Sequence, residues 1–180
     1  MKNNKLQIMV KCAFLAAISI ILTRFLVIMP TPALRISLGA IPIALAGLMY
    51  GPVYGGLVGL VADLIGVIIN SQGTPHLGFT ISSMLTGVIP GLVQMLYMKR
   101  DENKLIASSI MSSLLVNVII HIGLNTLWLS QLMGKSVAAL IMPRAIKALP
   151  EIIITIILLP MLYKLLMKFE PKKETATQIN

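Results

Sequence analysis

The run from Pro30 to Phe79 reads PTPALRISLGAIPIALAGLMYGPVYGGLVGLVADLIGVIINSQGTPHLGF, and its reading decides the fold of the chain. It holds two apolar segments, 36–50 and 53–70, joined by a tight turn at Gly51-Pro52 and bounded by two irregular stretches. The first of these, Pro30–Leu34, is punctuated by Pro30 and Pro32. The second is the polar Asn70-Ser71-Gln72-Gly73-Thr74-Pro75-His76. Both segments have membrane-spanning character, although 36–50 is short against the roughly 20 apolar residues that a spanning helix needs. Either it tilts little, or it begins part-way into the membrane beneath the first loop. Non-helical backbone at that depth is tolerated only where it lines a protein cavity, because lipid cannot satisfy its amides.

The rest of the chain agrees with this reading. Of its 180 residues 57% are hydrophobic and 12% charged, with a mean hydropathy of +0.90. Soluble domains have about 45–50% apolar and about 25% charged residues. The expected fold is therefore an all-α integral membrane protein, a six-helix transmembrane bundle with spans near 8–28, 36–50, 53–70, 79–98, 105–129 and 139–164. It forms one membrane domain over 1–168, followed by a polar tail over 169–180. The net charge of +9 would suggest nucleic acid in a soluble protein. Here the cations flank apolar segments and report orientation instead. Lys2, Lys5 and Lys11, then Lys99, Arg100 and Lys104, then Lys164, Lys168, Lys172 and Lys173 fall on one side. Both termini and the tail are accordingly expected in the cytoplasm. The apolar run 12–29 is too long for a signal-peptide core of about 7–15 residues, so it reads as a retained helix. Cys12 is the only cysteine, which excludes an internal disulfide and a cysteine-based metal cluster.

Polar residues inside these spans mark the candidate sites, since a polar stripe must face the bundle interior or a water-filled cavity. In the fifth span Asn117, His121, Asn125 and Trp128 fall on one face at 3.6 residues per turn, and Ser113 extends it. Asn117 and His121 read most simply as interhelical hydrogen-bonding groups. Asn125 and Trp128, nearer the outer end, offer an edge partner and a stacking face for a planar ring. Trp128 reads equally as an interfacial anchor.

In the sixth span Arg144, Lys147, Glu151 and Thr155 lie along one face. Lys147 and Glu151, four apart, are placed to pair. That leaves Arg144 near the outer entrance to meet an anion, which a guanidinium binds in bidentate fashion; the alternative is a charge snorkelling to the lipid headgroups. Arg35, at the start of the second span, either clamps a carboxylate or anchors the helix end. The 70–78 loop, with Gln72, Thr74 and His76 leading to Phe79, reads as a lid. Asp63 is the most isolated charge, and the expected partner is a hydroxyl or a backbone amide within the bundle. Ala13 and Ala17, four apart, form a flat surface for another helix.

No catalytic constellation is found: there are no suitably paired carboxylates, no serine nucleophile elbow and no metal-ligand spacing around His76. Gly134-Lys135-Ser136 lacks the earlier glycine of a phosphate-binding loop, where Leu129 stands. No enzyme, metal or cofactor is expected. Uphill movement of a solute would take its energy from another chain.

Taken together, the six-span hydropathy, Ala13/Ala17, and Gly51-Pro52 followed by Gly55, Gly59, Asp63 and Gly66 resemble the substrate-binding (S) subunits of energy-coupling factor (ECF) transporters. Arg35-Ile36-Ser37-Leu38-Gly39, Asn125-Thr126-Leu127-Trp128 and Pro143-Arg144 are most similar to the folate-specific kind. The resemblance implies a bacterial plasma-membrane subunit that captures a vitamin outside and docks on a transmembrane coupling subunit with two cytoplasmic ATPases. It places the coupling-subunit contact on Ala13 and Ala17. The expected ligand is folate or a related vitamin, held by Arg35, Gln72, Thr74, His76, Phe79, Asn125, Trp128, Arg144 and Lys147. Two rivals are an S subunit for another solute and a membrane scaffold without a small ligand, in which both polar stripes are helix glue. A self-sufficient carrier is a further one.

Overall fold

The computed structural model describes residues 2–31, 34–71, 74–97 and 102–169. The tail from 170 on, and Gln72, lie outside the described residues. The chain is a helical bundle: α1 (Lys2–Arg24), α2 (Ala40–Tyr50), α3 (Pro52–Ile69), α4 (Leu77–Leu96), α5 (Glu102–Leu115), α6 (Asn125–Met133) and α7 (Val137–Phe169). Val116–Leu124, between α5 and α6, is a π-helical segment. Among the described residues, five stretches are long and apolar enough to cross a membrane: Lys5–Arg24, Pro52–Ile69, Leu77–Leu96, Ile106–Met133 and Val137–Lys168.

The second segment departs from the expected span 36–50. Its helix has only 11 residues, about 16 Å at 1.5 Å per residue, against a hydrocarbon layer about 30 Å thick. Eight consecutive residues, Ile41 to Leu48, are buried. A helix that is apolar all round belongs inside a bundle rather than against lipid, so α2 forms the central core. Its start is tied to α1, where the buried Ser19 Oγ donates to the Gly39 carbonyl at 2.8 Å. The preceding stretch, expected as an irregular loop, contains a short antiparallel ribbon, β1 (Ile28–Thr31) and β2 (Leu34–Ile36). Ile28 is opposite Ile36 and Thr31 opposite Leu34. Pairing the two strands satisfies backbone groups without a helix, the requirement the sequence raised for this region.

The Gly51-Pro52 turn is where it was expected. Gly51 takes φ +93°, a conformation open to glycine, and Pro52 opens α3, where its missing N–H costs no helical bond. The turn folds α3 back, and α4 closes onto both helices. Gly55 and Gly87 meet there backbone to backbone: a Cβ on either would collide with the carbonyl of the other.

The core has two parts. One is built by Cys12, Leu15, Ala16 and Ile20 of α1 against Ile43, Ala46, Val58 and Ala62. The other joins Ile41, Ala44, Leu45 and Leu48 of α2 to Leu159 and Tyr163 of α7. α2 therefore links the α1–α4 half of the bundle to α7.

Candidate functional site

Between the two halves opens a cavity of ≈830 Å³, within the size range of ligand pockets. Its walls come from the outer end of α1, from α3 and α4, from the loop before α4, from the π segment with α6, and from α7.

On one wall, Arg24 at the end of α1 donates from Nη2 to Asp63 Oδ1 of α3 at 3.1 Å. Thr80 Oγ1 of α4 donates to the other carboxylate oxygen at 2.7 Å. Arg24 also reaches the Asn70 carbonyl at 3.4 Å, and Asn70 Nδ2 returns a bond to the Arg24 carbonyl at 3.1 Å. The hydroxyl partner expected for Asp63 is present in Thr80. The ion pair is a correction, because Asp63 is not isolated. Nothing in the local pattern links two residues 39 positions apart on different helices.

On the facing wall, Lys147 Nζ lies 3.1 Å from Glu151 Oε1, the i,i+4 pair expected from spacing. The same oxygen accepts from the Ser37 amide at 3.4 Å, fastening the entry to α2 onto α7. Arg144 Nη2 donates to the His121 carbonyl at 3.2 Å. Its Nε is buried and has no partner among the described residues, and the same is true of Glu151 Oε2 and Asn125 Oδ1. Arg144, Lys147, Glu151 and Asn125 all line the cavity. The wall thus presents one guanidinium N–H and two acceptor oxygens, one of an amide and one of a carboxylate, that no described residue pairs. Such buried groups are costly unless something else completes them.

The loop before α4 brings Thr74 and His76 to the cavity, with Phe79 just inside the helix. His76 is the N-cap of α4, its Nδ1 accepting from the Gly78 amide at 3.0 Å. Its ring stands edge-on to Phe79 at 6.0 Å and tilted to Trp128 at 5.6 Å.

Trp128 itself is not among the residues lining the cavity. Its Nε1 donates to Ser82 Oγ of α4 at 3.1 Å, and the indole lies against Gly78, where a Cβ would collide with it. It backs the His76 ring from behind. The expected stripe Asn117–His121–Asn125–Trp128 is therefore split, for a physical reason. A π turn, with i→i+5 bonds, holds more residues than an α turn, so the register over Val116–Leu124 drifts from the 3.6 period assumed. Asn125 and His121 face the cavity, Asn117 faces a smaller chamber, and Trp128 reaches α4. Arg35 stands in β2, and its side chain, like Gln72, lies outside the described residues. Ala13 and Ala17 are exposed on the outer face of α1. Among the described residues, no three His, Cys, Asp or Glu side chains are grouped to hold a metal.

Sequence reasoning missed Arg24, Glu151 and the hydroxyls of Thr80, Ser82 and Ser83 as cavity residues. For Glu151 a signal exists in the sequence, since it shares a helix face with Arg144 and Lys147, although its i,i+4 spacing from Lys147 explains it equally as that lysine's partner.

A polar, cation-bearing cavity at one end of a six-segment membrane bundle is the site of a solute-capturing membrane protein. The family described as "ECF transporter, substrate-specific component" matches residues 7–163. The chain belongs to that family and is a multi-pass bacterial membrane protein. The folate transporter FolT of Clostridium novyi (strain NT) is 35% identical over 144 residues, 80% of each chain. The folate transporter FolT of Leuconostoc mesenteroides subsp. mesenteroides is 32% identical over 142 residues, 76% of this chain and 74% of the relative. Among solved structures, one described as "Crystal structure of FolT bound with folic acid" superimposes with a TM-score of 0.71 at 31% identity. It covers 86% of this chain and 93% of that one. Another, "Structure and mechanism of the S component of a bacterial ECF transporter", gives 0.67 at 26% identity, covering 92% and 98%.

Proposed function

We propose that this chain is the folate-capturing subunit of an ECF importer, binding folate from outside the cell in the ≈830 Å³ cavity. The observation that carries the reading is the pairing of an open guanidinium N–H on Arg144 with open acceptors on Asn125 and Glu151 in one cavity. Folate has a flat pterin ring whose edge donates N–H groups and a glutamate that carries carboxylates. The ring edge fits Asn125 Oδ1 and Glu151 Oε2. A carboxylate fits Arg144, with Arg24 across the cavity and Lys147 adding positive charge. Phe79 and His76 supply aromatic surface over the ligand, with Thr74 beside them; Gln72 and Arg35 are assigned to the ligand from the sequence alone. Trp128 acts through His76, fixing its ring, rather than on the ligand. Relatives named as folate transporters support this ligand over other vitamins.

ATP hydrolysis is assigned to two partner ATPases, and docking on the coupling subunit to the exposed face of α1 that carries Ala13 and Ala17. The lysine and arginine distribution orients both termini to the cytoplasm. The test is equilibrium folate binding to the purified chain, read by fluorescence of Trp128, the only tryptophan. Tight binding with a change in emission is expected, because His76 couples the indole to the cavity. A folded protein that binds no folate would remove the reading.

A further inference from the structure

Beside the main cavity lies a chamber of ≈20 Å³, sharing Ser37, Ala40, His121 and Glu151 with it and otherwise lined by groups that include Ser113, Asn117 and Thr155. Among its polar side chains Ser113, Asn117 and Glu151 are each more than nine-tenths buried, at 2%, 3% and 7% exposure. Each has an oxygen with no hydrogen-bond partner among the described residues: Ser113 Oγ, Asn117 Oδ1 and Glu151 Oε2. Their other polar atoms are engaged. Asn117 Nδ2 donates to the Ser113 carbonyl at 2.9 Å, which leaves its Oδ1 as a pure acceptor. Glu151 Oε1 takes Lys147 and the Ser37 amide.

We infer that this chamber is a binding site for a single ordered water, and that Ser113 and Asn117 position the Glu151 carboxylate through it. The volume exceeds the roughly 10–15 Å³ that one water requires. The valences match as well. Two acceptors, Asn117 Oδ1 and Glu151 Oε2, take the two hydrogens of the water, and the Ser113 hydroxyl donates to its oxygen. That makes three bonds, the usual number for a buried water. A metal cation would find the same oxygens, but Lys147 already neutralises Glu151 and Arg144 stands on the same face of α7. The local charge favours a neutral occupant. The π segment gives the site its geometry, because it carries Asn117 and His121, while the residue that receives the far end of the bridge, Glu151, is on α7.

The positioning role rests on the proposed folate reading, since Glu151 is there a ligand contact; the water site does not. The test is a crystal structure of the full purified chain, with and without folate, at a resolution that shows ordered solvent. The expected result is one water within hydrogen-bond reach of Ser113 Oγ, Asn117 Oδ1 and Glu151 Oε2. An empty chamber, a metal ion in it, or a direct contact between Asn117 and Glu151 would overturn the site. Ser113→Ala is expected to remove the water and weaken folate binding about tenfold, the scale of one buried polar atom left unpaired. Ser113→Thr, which keeps the hydroxyl, restores both. Loss of the water with unchanged folate affinity would overturn the positioning role. If the native chain shows the water but binds no folate, the site stands and the folate reading falls.

Discussion

Arg24 and Asp63, one ending α1 and the other in the second half of α3, meet as a partly buried ion pair at 3.1 Å on the wall of the cavity. Their side chains are only 7% and 16% exposed, so removing one partner strands the other in a poorly solvated place. Asp63→Ala is expected to destabilise the folded chain by about 1.5–3 kcal/mol, the scale of a lost charged hydrogen bond, read as a fall in thermal unfolding midpoint in detergent. Replacing both residues with apolar ones of similar volume should cost clearly less than the single change. A double variant as unstable as the sum of the singles would show that the pair is not coupled.

Gly55→Ala and Gly87→Ala each place a methyl against the other glycine's carbonyl, and a backbone cannot swing aside as a flexible side chain can. Each is expected to cost about 1–3 kcal/mol or more. Gly123→Ala is the contrasting case. Its added methyl meets nothing closer than the Val118 carbonyl at 3.4 Å, an ordinary contact. In a helix it should be neutral or stabilise by up to roughly 1 kcal/mol. Parallel melts of the three variants check the order.

Arg144→Ala removes the guanidinium whose Nε has no partner within the described protein. A lost charged hydrogen bond of about 1.5–3 kcal/mol corresponds to a folate affinity lowered by roughly ten- to a hundredfold or more. Gly123→Ala should leave that affinity unchanged. Calorimetric titration of both variants decides whether Arg144 touches the ligand.

Trp128→Phe keeps an aromatic ring against Gly78 but deletes the 3.1 Å bond to Ser82. The expected loss is about 0.5–1.5 kcal/mol of stability with only a small change in folate affinity, because the indole stands behind His76. A collapse of affinity at unchanged stability would instead place the ring on the ligand.

Ala17→Trp alters an exposed position on α1. Folate binding by the isolated chain should be unchanged, while co-purification with a coupling subunit and its ATPases should be lost. Retained assembly would move the docking face elsewhere.

Some of these features were legible in the sequence and others were not. Gly51-Pro52 could be read because a backbone freedom and a fixed φ stand side by side in the chain. Lys147 and Glu151 could be read because helical neighbours four apart must meet. Arg24 and Asp63 could not, since their meeting depends on how α1 packs on α3. The π segment left no mark in composition either, yet it diverted Trp128 from the stripe it had been assigned. The ribbon of Ile28–Thr31 and Leu34–Ile36 was hidden by Pro30 and Pro32, which read as loop punctuation. Local rules carried the bundle and the lysine–glutamate pair, and long-range packing decided which side chains share the cavity.

The sheathing of α2 has a consequence for the host membrane. Helices that touch lipid must answer to hydrocarbon thickness by tilting or by deforming the bilayer around them. Ile41 to Leu48 are enclosed by protein, so hydrophobic mismatch acts on α2 only through its neighbours. A thicker or thinner bilayer should tilt the outer helices while α2, and the Ser37 amide that leads into it and holds Glu151, keep their place against α7.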